Sequence, residues 1–153
     1  MRFIHQSVIP APPEAVFAFH EQADALQKLV PPWERVDIVQ PPASLRPGTR
    51  VVLRMRLGPL PVTWVAEHTR YEKGILFEDR MVSGPFRRWV HTHRFLPAEG
   101  GTLLRDEVDL LLPVFTFLAA PLVRRRLRRM FEYRHRATAE AVLSRAKVDR
   151  VPP

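Results

Sequence analysis

The sequence predicts an α+β fold: a curved seven-stranded antiparallel sheet, in the order β-αα-β6-α, wrapped around a long C-terminal helix. Three observations carry this. Residues 50–112 hold strand-like segments separated by short turns rich in Gly and Pro, and tight turns make antiparallel neighbours of consecutive strands. Residues 114–147 contain no Gly, and their apolar positions (Leu118, Leu122, Leu127, Met130, Phe131, Ala137, Ala141) recur at three- and four-residue steps, the period of a helix. A sheet with one apolar face has to cover it, and the long helix is the available cover.

The elements follow in order. RFIHQSVI (2–9) mixes β-branched and aromatic residues and reads as a first strand. Pro12-Pro13 before EAVFAFH marks a helix start, because Pro is tolerated in a first turn and Glu14 suits its positive end. A second short helix covers Asp24 to Leu29 and stops before Pro31-Pro32, since a residue preceding Pro is pushed out of the helical region. WERVDIVQ is a short strand, and PPASLRPG is a loop closing on Gly48.

TRVVLRMRL puts Val51, Leu53, Met55 and Leu57 on one face and Arg50, Arg54 and Arg56 on the other. GPLP turns the chain into VTWVAEHTRY, with Trp64, Ala66 and His68 together. EKG, with Gly74, leads to ILFEDRMV, where Ile75, Phe77, Asp79 and Met81 alternate with Glu78 and Arg80. SGP and AEGG bracket FRRWVHTHRFL, and TLLRDEVDLLL follows with Leu104, Asp106, Val108 and Leu110 on one face. Arg105, Glu107 and Asp109 make a solvated charged face opposite. The last helix carries a kink at Pro121.

The 153 residues, 46% apolar and 26% charged, suit one domain with a real core. It is expected over residues 1–148, with 149–153 a frayed tail. No apolar run reaches the length of a spanning helix, and the first residues lack a signal peptide's apolar core; a cytoplasmic protein is expected. The absence of Cys excludes disulfides, thiolate metal sites and Cys nucleophiles. Of 24 basic residues only Lys28, Lys73 and Lys147 are Lys, and there are 16 Pro, a composition that hints at a GC-rich, thermophilic source. The net charge of +8 is uneven: residues 121–153 hold 10 basic and 3 acidic side chains, against 14 and 13 before them.

The stretch WVHTHRF raises the functional question. Alternate residues of a strand share a face, so Trp89, His91, His93 and Phe95 form one row. The same parity places Leu53, Met55, Trp64, His68, Phe77, Asp79, Met81, Asp106 and Val108 inward, and the long helix adds Met130 and Phe131. These side chains either fill a core or wall a small-molecule cavity with a few convergent polar groups. Its polar members, His68, Asp79, His91, His93 and Asp106, admit three readings. One is a hydrogen-bonded network, since unpaired buried polar groups are costly. Another is acid/base catalysis, with His91 or His93 as base and Asp79 or Asp106 orienting it. The third is a metal site. It needs three or four converging ligands, and HExxH is absent, so neither a metal nor any other cofactor is expected. His20 and His68 stand isolated in sequence, and His5 and His135 read as surface or interface positions. No GxSxG, phosphate-loop or dinucleotide fingerprint is present.

The run RRRLRR clusters Arg124, Arg125, Arg128 and Arg129 on a helix. It suits a solvated face pairing with Glu107, Asp109 or Glu132, or contact with an anionic membrane surface beside the apolar VFTFLAAPLV. No recognition motif accompanies it, so nucleic acid is not expected.

The order of elements and the stretches PPEAVFAFH, LVPPW, WVAEHTRYEKG, FEDRMVSGPFRRWVHTHRF and GTLLRDEVDLLLP resemble the SRPBCC superfamily of START-like, Bet v 1-like helix-grip proteins, across nearly the whole chain. They look most like its bacterial single-domain cyclase/dehydrase-like members. The resemblance implies a cavity between sheet and C-terminal helix holding a hydrophobic molecule such as a lipid, isoprenoid, quinone or polycyclic aromatic. Family members include carriers and aromatic polyketide cyclases, and a fold does not by itself decide between them. A monomer or a homodimer is compatible with the sequence.

Overall fold

The computed structural model describes residues 1–57 and 59–148. Seven strands, β1 (Arg2–Ile9), β2 (Val36–Gln40), β3 (Arg50–Leu57), β4 (Leu60–Glu72), β5 (Leu76–Ser83), β6 (Arg88–Ala98) and β7 (Gly101–Leu111), form one curved sheet. Its order is β1-β7-β6-β5-β4-β3-β2, with every pair antiparallel. Two short helices, α1 (Pro13–His20) and α2 (Ala25–Lys28), follow β1, and the long α3 (Ala120–Val148) lies against β1 and α1. Among the described residues no helix is long and apolar enough to cross a membrane.

Local chemistry explains the joints. Strands β6 and β7 pair from Arg88 opposite Leu111 to Ala98 opposite Gly101. The hairpin closes on Gly100 and Gly101, with φ of 82° and 143°, values L side chains rarely adopt. A Cβ on Gly101 would also overlap the carbonyl oxygen of Ile9. Strand alternation then sets the core. On β7, Leu104, Asp106, Val108 and Leu110 are buried, and on β6 Trp89, His91, His93 and Phe95 are. Two apolar clusters lie along the sheet: one gathers Phe3, Trp64, Trp89, Val108 and Leu127 around Phe131, the other Ile9, Val16, Phe77, Phe95 and Leu104 around Phe17; a third, of Phe19, Ala25, Leu29 and Val142, joins the short helices to α3. In the β6–β7 register the His91, His93 and Asp106 positions fall between the first two, so a polar belt divides the core.

Several expectations are corrected. Residues 114–119 wind as a 3-10 turn and α3 begins at Ala120; Pro121 sits in the first turn, where its missing N–H removes no helical bond, and it is a start signal rather than a kink. Leu118 and Leu122 are 80% and 69% exposed, because the helix face that meets the sheet only begins beyond them. On β5 the inward row starts at Phe77, opposite His93, whereas Ile75 is 51% exposed and belongs to the turn. The β4–β5 register skips Thr69 between His68 and Arg70; this bulge shifts parity by one and brings Tyr71 opposite Phe77. Strand β2 starts at Val36, three residues later than the sequence suggests. The GPLP turn contains Gly58, and the 149–153 tail is terminal; both lie outside the described residues.

Candidate functional site

Between the sheet and α3 lies a cavity of about 290 Å³. Strand residues Leu53, Met55, Trp64, Phe77 and Trp89 form its apolar wall; Leu26 and Leu29 close it from the α2 segment, and Val123, Leu127 and Met130 from α3. Trp64 and Trp89 meet edge to face with ring centres 5.1 Å apart, a favoured aromatic geometry that keeps both rings in place. The polar end of the wall is made by His20, His68, Asp79, His91 and His93.

Asp106 organises that end from beneath. Its Oδ1 accepts a hydrogen bond from His91 Nε2 at 2.8 Å and lies 2.7 Å from His93 Nδ1. Its Oδ2 accepts from His135 Nε2 at 2.6 Å. The chain continues outward, with His135 Nδ1 2.7 Å from Ser7 Oγ. Two strands, the long helix and β1 thus meet on one carboxylate. Burial alone would raise the Asp106 carboxyl, but His93, His135 and His91 outweigh it and hold the group well below the usual carboxylate range. Asp79 behaves likewise: burial pushes it up, and His93 and His91 bring it below its ordinary value.

The imidazoles diverge for the same physical reasons. Burial and neighbouring His93 hold His91 below its ordinary value, despite Asp106. Burial also opposes charge on His93, but Asp106 and Asp79 prevail and raise it. His20, buried and near His93, drops to about 4, and its Nδ1 lies 2.8 Å from the Val16 carbonyl oxygen. Two adjacent imidazoles with oppositely shifted basicities, backed by a carboxylate, are the equipment of acid/base chemistry. His68 Nδ1 is buried and, among the described residues, has no hydrogen-bond partner; such an atom is costly unless a bound molecule satisfies it.

The expected residues are distributed unequally. Leu53, Met55, Trp64, His68, Phe77, Asp79, Trp89, His91, His93 and Met130 line the cavity. Four do not. Val108 and Phe131 are fully buried behind the wall, Asp106 lies beneath the imidazoles, and Met81 packs beside the Trp64 cluster. Parity chose the correct face for these residues, but the side chains in front of them occupy the surface. His135 is corrected outright: it is buried and bonded to Asp106. Its signal was the helical spacing Phe131, His135, Thr138, Val142, all of them buried. Arg126 and Arg134 also line the cavity, four residues either side of Met130. Arg126 pairs with Glu34 at 2.5 Å, and Arg134 donates to the Leu29 carbonyl oxygen at 3.3 Å.

Arg124, Arg125, Arg128 and Arg129 are exposed and stand away from the cavity. Two of their expected acidic partners are engaged elsewhere: Glu107 with Arg2, Arg94 and Arg105, and Asp109 with Arg88. Arg129 instead lies over the Trp33 ring, 4.2 Å from its centre.

A sheet closed on a long helix over an apolar cavity with a polar end defines a class of small-molecule-binding domains. The chain belongs to the polyketide cyclase/dehydrase and lipid transport family, whose model matches residues 9–137. Among solved structures it is similar to TTHA0849 from Thermus thermophilus, at 24% identity and a TM-score of 0.73, covering 94% of this chain and 98% of that one. It is similar to the nucleoside-diphosphate sugar epimerase from Corynebacterium glutamicum at 27% identity and 0.73, covering 95% of this chain and 30% of that one. Norcoclaurine synthase from Thalictrum flavum, in complex with dopamine and hydroxybenzaldehyde, shares the fold at 15% identity and 0.70, covering 94% of this chain and 87% of that one. The comparison with curated proteins finds no match.

Proposed function

We propose that the protein binds a hydrophobic small molecule, for sequestration or transport, in the cavity between the sheet and α3. The cavity itself carries this reading: about 290 Å³ of space at the lower end of ligand-sized pockets, which run from roughly 300 to 1,000 Å³. Its size favours a compact isoprenoid or polycyclic aromatic over a long-chain lipid. Burial of apolar ligand surface against Trp64, Phe77 and Trp89 supplies affinity, and the orphaned His68 Nδ1 with His91 and His93 orients a polar end. Lipid transport within the family and the small aromatic ligands of norcoclaurine synthase support it. Native mass spectrometry after mild purification, followed by organic extraction, is expected to release an apolar ligand. Titration with anilinonaphthalene sulfonate gives a second readout, and Leu53→Trp, which fills the cavity, is expected to abolish its binding while circular dichroism stays unchanged. Equal binding in that variant rejects the cavity as the site.

The oppositely shifted His91 and His93 favour a second reading, a cyclase/dehydratase-type enzyme. His91→Ala or His93→Ala would then lose turnover of a polyketide substrate while the folded protein still binds it; a carrier keeps binding and has no turnover to lose. A docking role rests on the exposed Leu118 and Leu122 beside exposed Arg124 and Arg125. Converting Arg124, Arg125, Arg128 and Arg129 to Gln would abolish sedimentation with anionic liposomes under that role alone.

A further inference from the structure

Three polar atoms at the cavity's end are arranged unlike a hydrogen-bonded network. The Asp106 carboxylate is surrounded by three imidazole nitrogens, His91 Nε2, His93 Nδ1 and His135 Nε2, at 2.8, 2.7 and 2.6 Å. Separations this short from a carboxylate oxygen place a proton on each of those nitrogens. In a neutral imidazole the other nitrogen is then a lone-pair acceptor. For His135 that acceptor is met by the Ser7 hydroxyl at 2.7 Å. For the other two, His91 Nδ1 and His93 Nε2, the nearest facing group is the Asp79 carboxylate, with Oδ2 at 3.6 and 3.8 Å. Those distances exceed hydrogen-bond length. The three atoms lie within 4.8 Å of one another, so an anionic oxygen faces two ring nitrogens, each a lone-pair acceptor when its imidazole is neutral.

A single cation resolves that arrangement. A tetrahedral ion with bonds of about 2.0–2.1 Å holds its donors roughly 3.3 Å apart; the Asp79 contacts, at 3.6 and 3.8 Å, need to close by a few tenths of an ångström, and the two imidazole nitrogens, within 4.8 Å of each other, by up to about 1.5 Å. The outer nitrogens of both imidazoles are already anchored on one carboxylate, the arrangement that orients metal-bound histidines and raises their basicity. That carboxylate is itself fixed by His135 from the helix. We propose that Asp79 Oδ2, His91 Nδ1 and His93 Nε2 form a facial site for one divalent first-row transition-metal ion, such as Zn²⁺, with Asp106 and His135 as its supporting layer. All three ligand residues line the cavity, so the remaining coordination positions open toward it. A water or an oxygen atom of a bound organic molecule takes them. The site rests on these side chains alone and stands whether or not the cavity carries an apolar cargo.

Tag-free protein stripped with a chelator tests this by calorimetric titration with Zn²⁺ and by visible absorption on adding Co²⁺. The expected result is one ion per chain and a Co²⁺ ligand-field spectrum that Zn²⁺ displaces. Asp79→Asn keeps the shape of a side chain that makes no short hydrogen bond, so it is the variant best able to stay folded; it is expected to lose stoichiometric uptake. Asp106→Asn, confirmed folded by circular dichroism, is expected to weaken uptake by about 10- to 100-fold, as loss of a supporting carboxylate does. Failure of folded wild-type protein to take up either ion overturns the proposal, as does uptake unchanged in folded Asp79→Asn.

Discussion

Asp106 is the residue on which the interior most depends. It faces three imidazoles from β6 and α3 at direct hydrogen-bond distance, and a buried charge network loses about 3–5 kcal/mol when one partner is removed. Asp106→Ala is therefore expected to lower unfolding free energy by that order in urea titrations; a loss below about 1 kcal/mol would contradict the network as drawn. His20 sets a pH dependence whose sign follows from its depressed basicity. The folded chain holds His20 at about 4, while the unfolded chain takes up that proton near 6.5. Stability from His20 is complete above about pH 6.5, and about 3 kcal/mol is lost as pH falls toward 4. His5, His68 and His91, also lowered chiefly by burial, add the same sign, and His93, raised beside Asp106, opposes it. Urea midpoints at pH 7, 5 and 4 should fall in that order, and His20→Leu should flatten the trend.

At the scale of elements, the termini of strands and helices explain more than their middles. Gly101 closes the β6–β7 hairpin where a Cβ would strike the backbone of β1, so Gly101→Ala is expected to lower the thermal midpoint by several degrees. Gly48, also at positive φ, has open space at its Cβ, and Gly48→Ala should cost less. Pro121 makes the opposite case. It occupies the first turn of α3, so Pro121→Ala should change unfolding free energy by less than about 0.5 kcal/mol, whereas an interior proline would straighten the helix and stabilise it on replacement. The β4–β5 bulge is the point at which alternation ceases to report facing: His68 still points inward, and beyond Thr69 the next inward ring is Tyr71, which meets Phe17 edge to face with centres 5.7 Å apart.

For the whole molecule, the consequence is two apolar clusters along the sheet separated by a polar belt, a third between the short helices and α3, and a cavity between the sheet and α3. A ligand that fills this space stabilises the folded state by mass action, by about 2.7 kcal/mol at a hundredfold excess over its Kd. A thermal-shift screen of isoprenoids and polycyclic aromatics should therefore raise the midpoint for binders in wild type but not in Leu53→Trp.

Periodicity and turn chemistry alone determined the strand order in sequence, the cover helix and the inward rows. A side chain's face follows from the two-residue repeat of a strand and the 3.6-residue repeat of a helix. That reasoning placed His91, His93, Asp79 and Asp106 on one surface before any partner was known. Only the tertiary structure decided which inward residues reach the cavity and which lie under them, because occlusion depends on neighbours distant in sequence. It alone brought His135 to Asp106 across 29 residues and set Asp79 facing His91 and His93 through the β5–β6 register. Spacing along a chain cannot report such convergence, since a site assembled from three strands and a helix is specified by pairing and packing, not by a local motif.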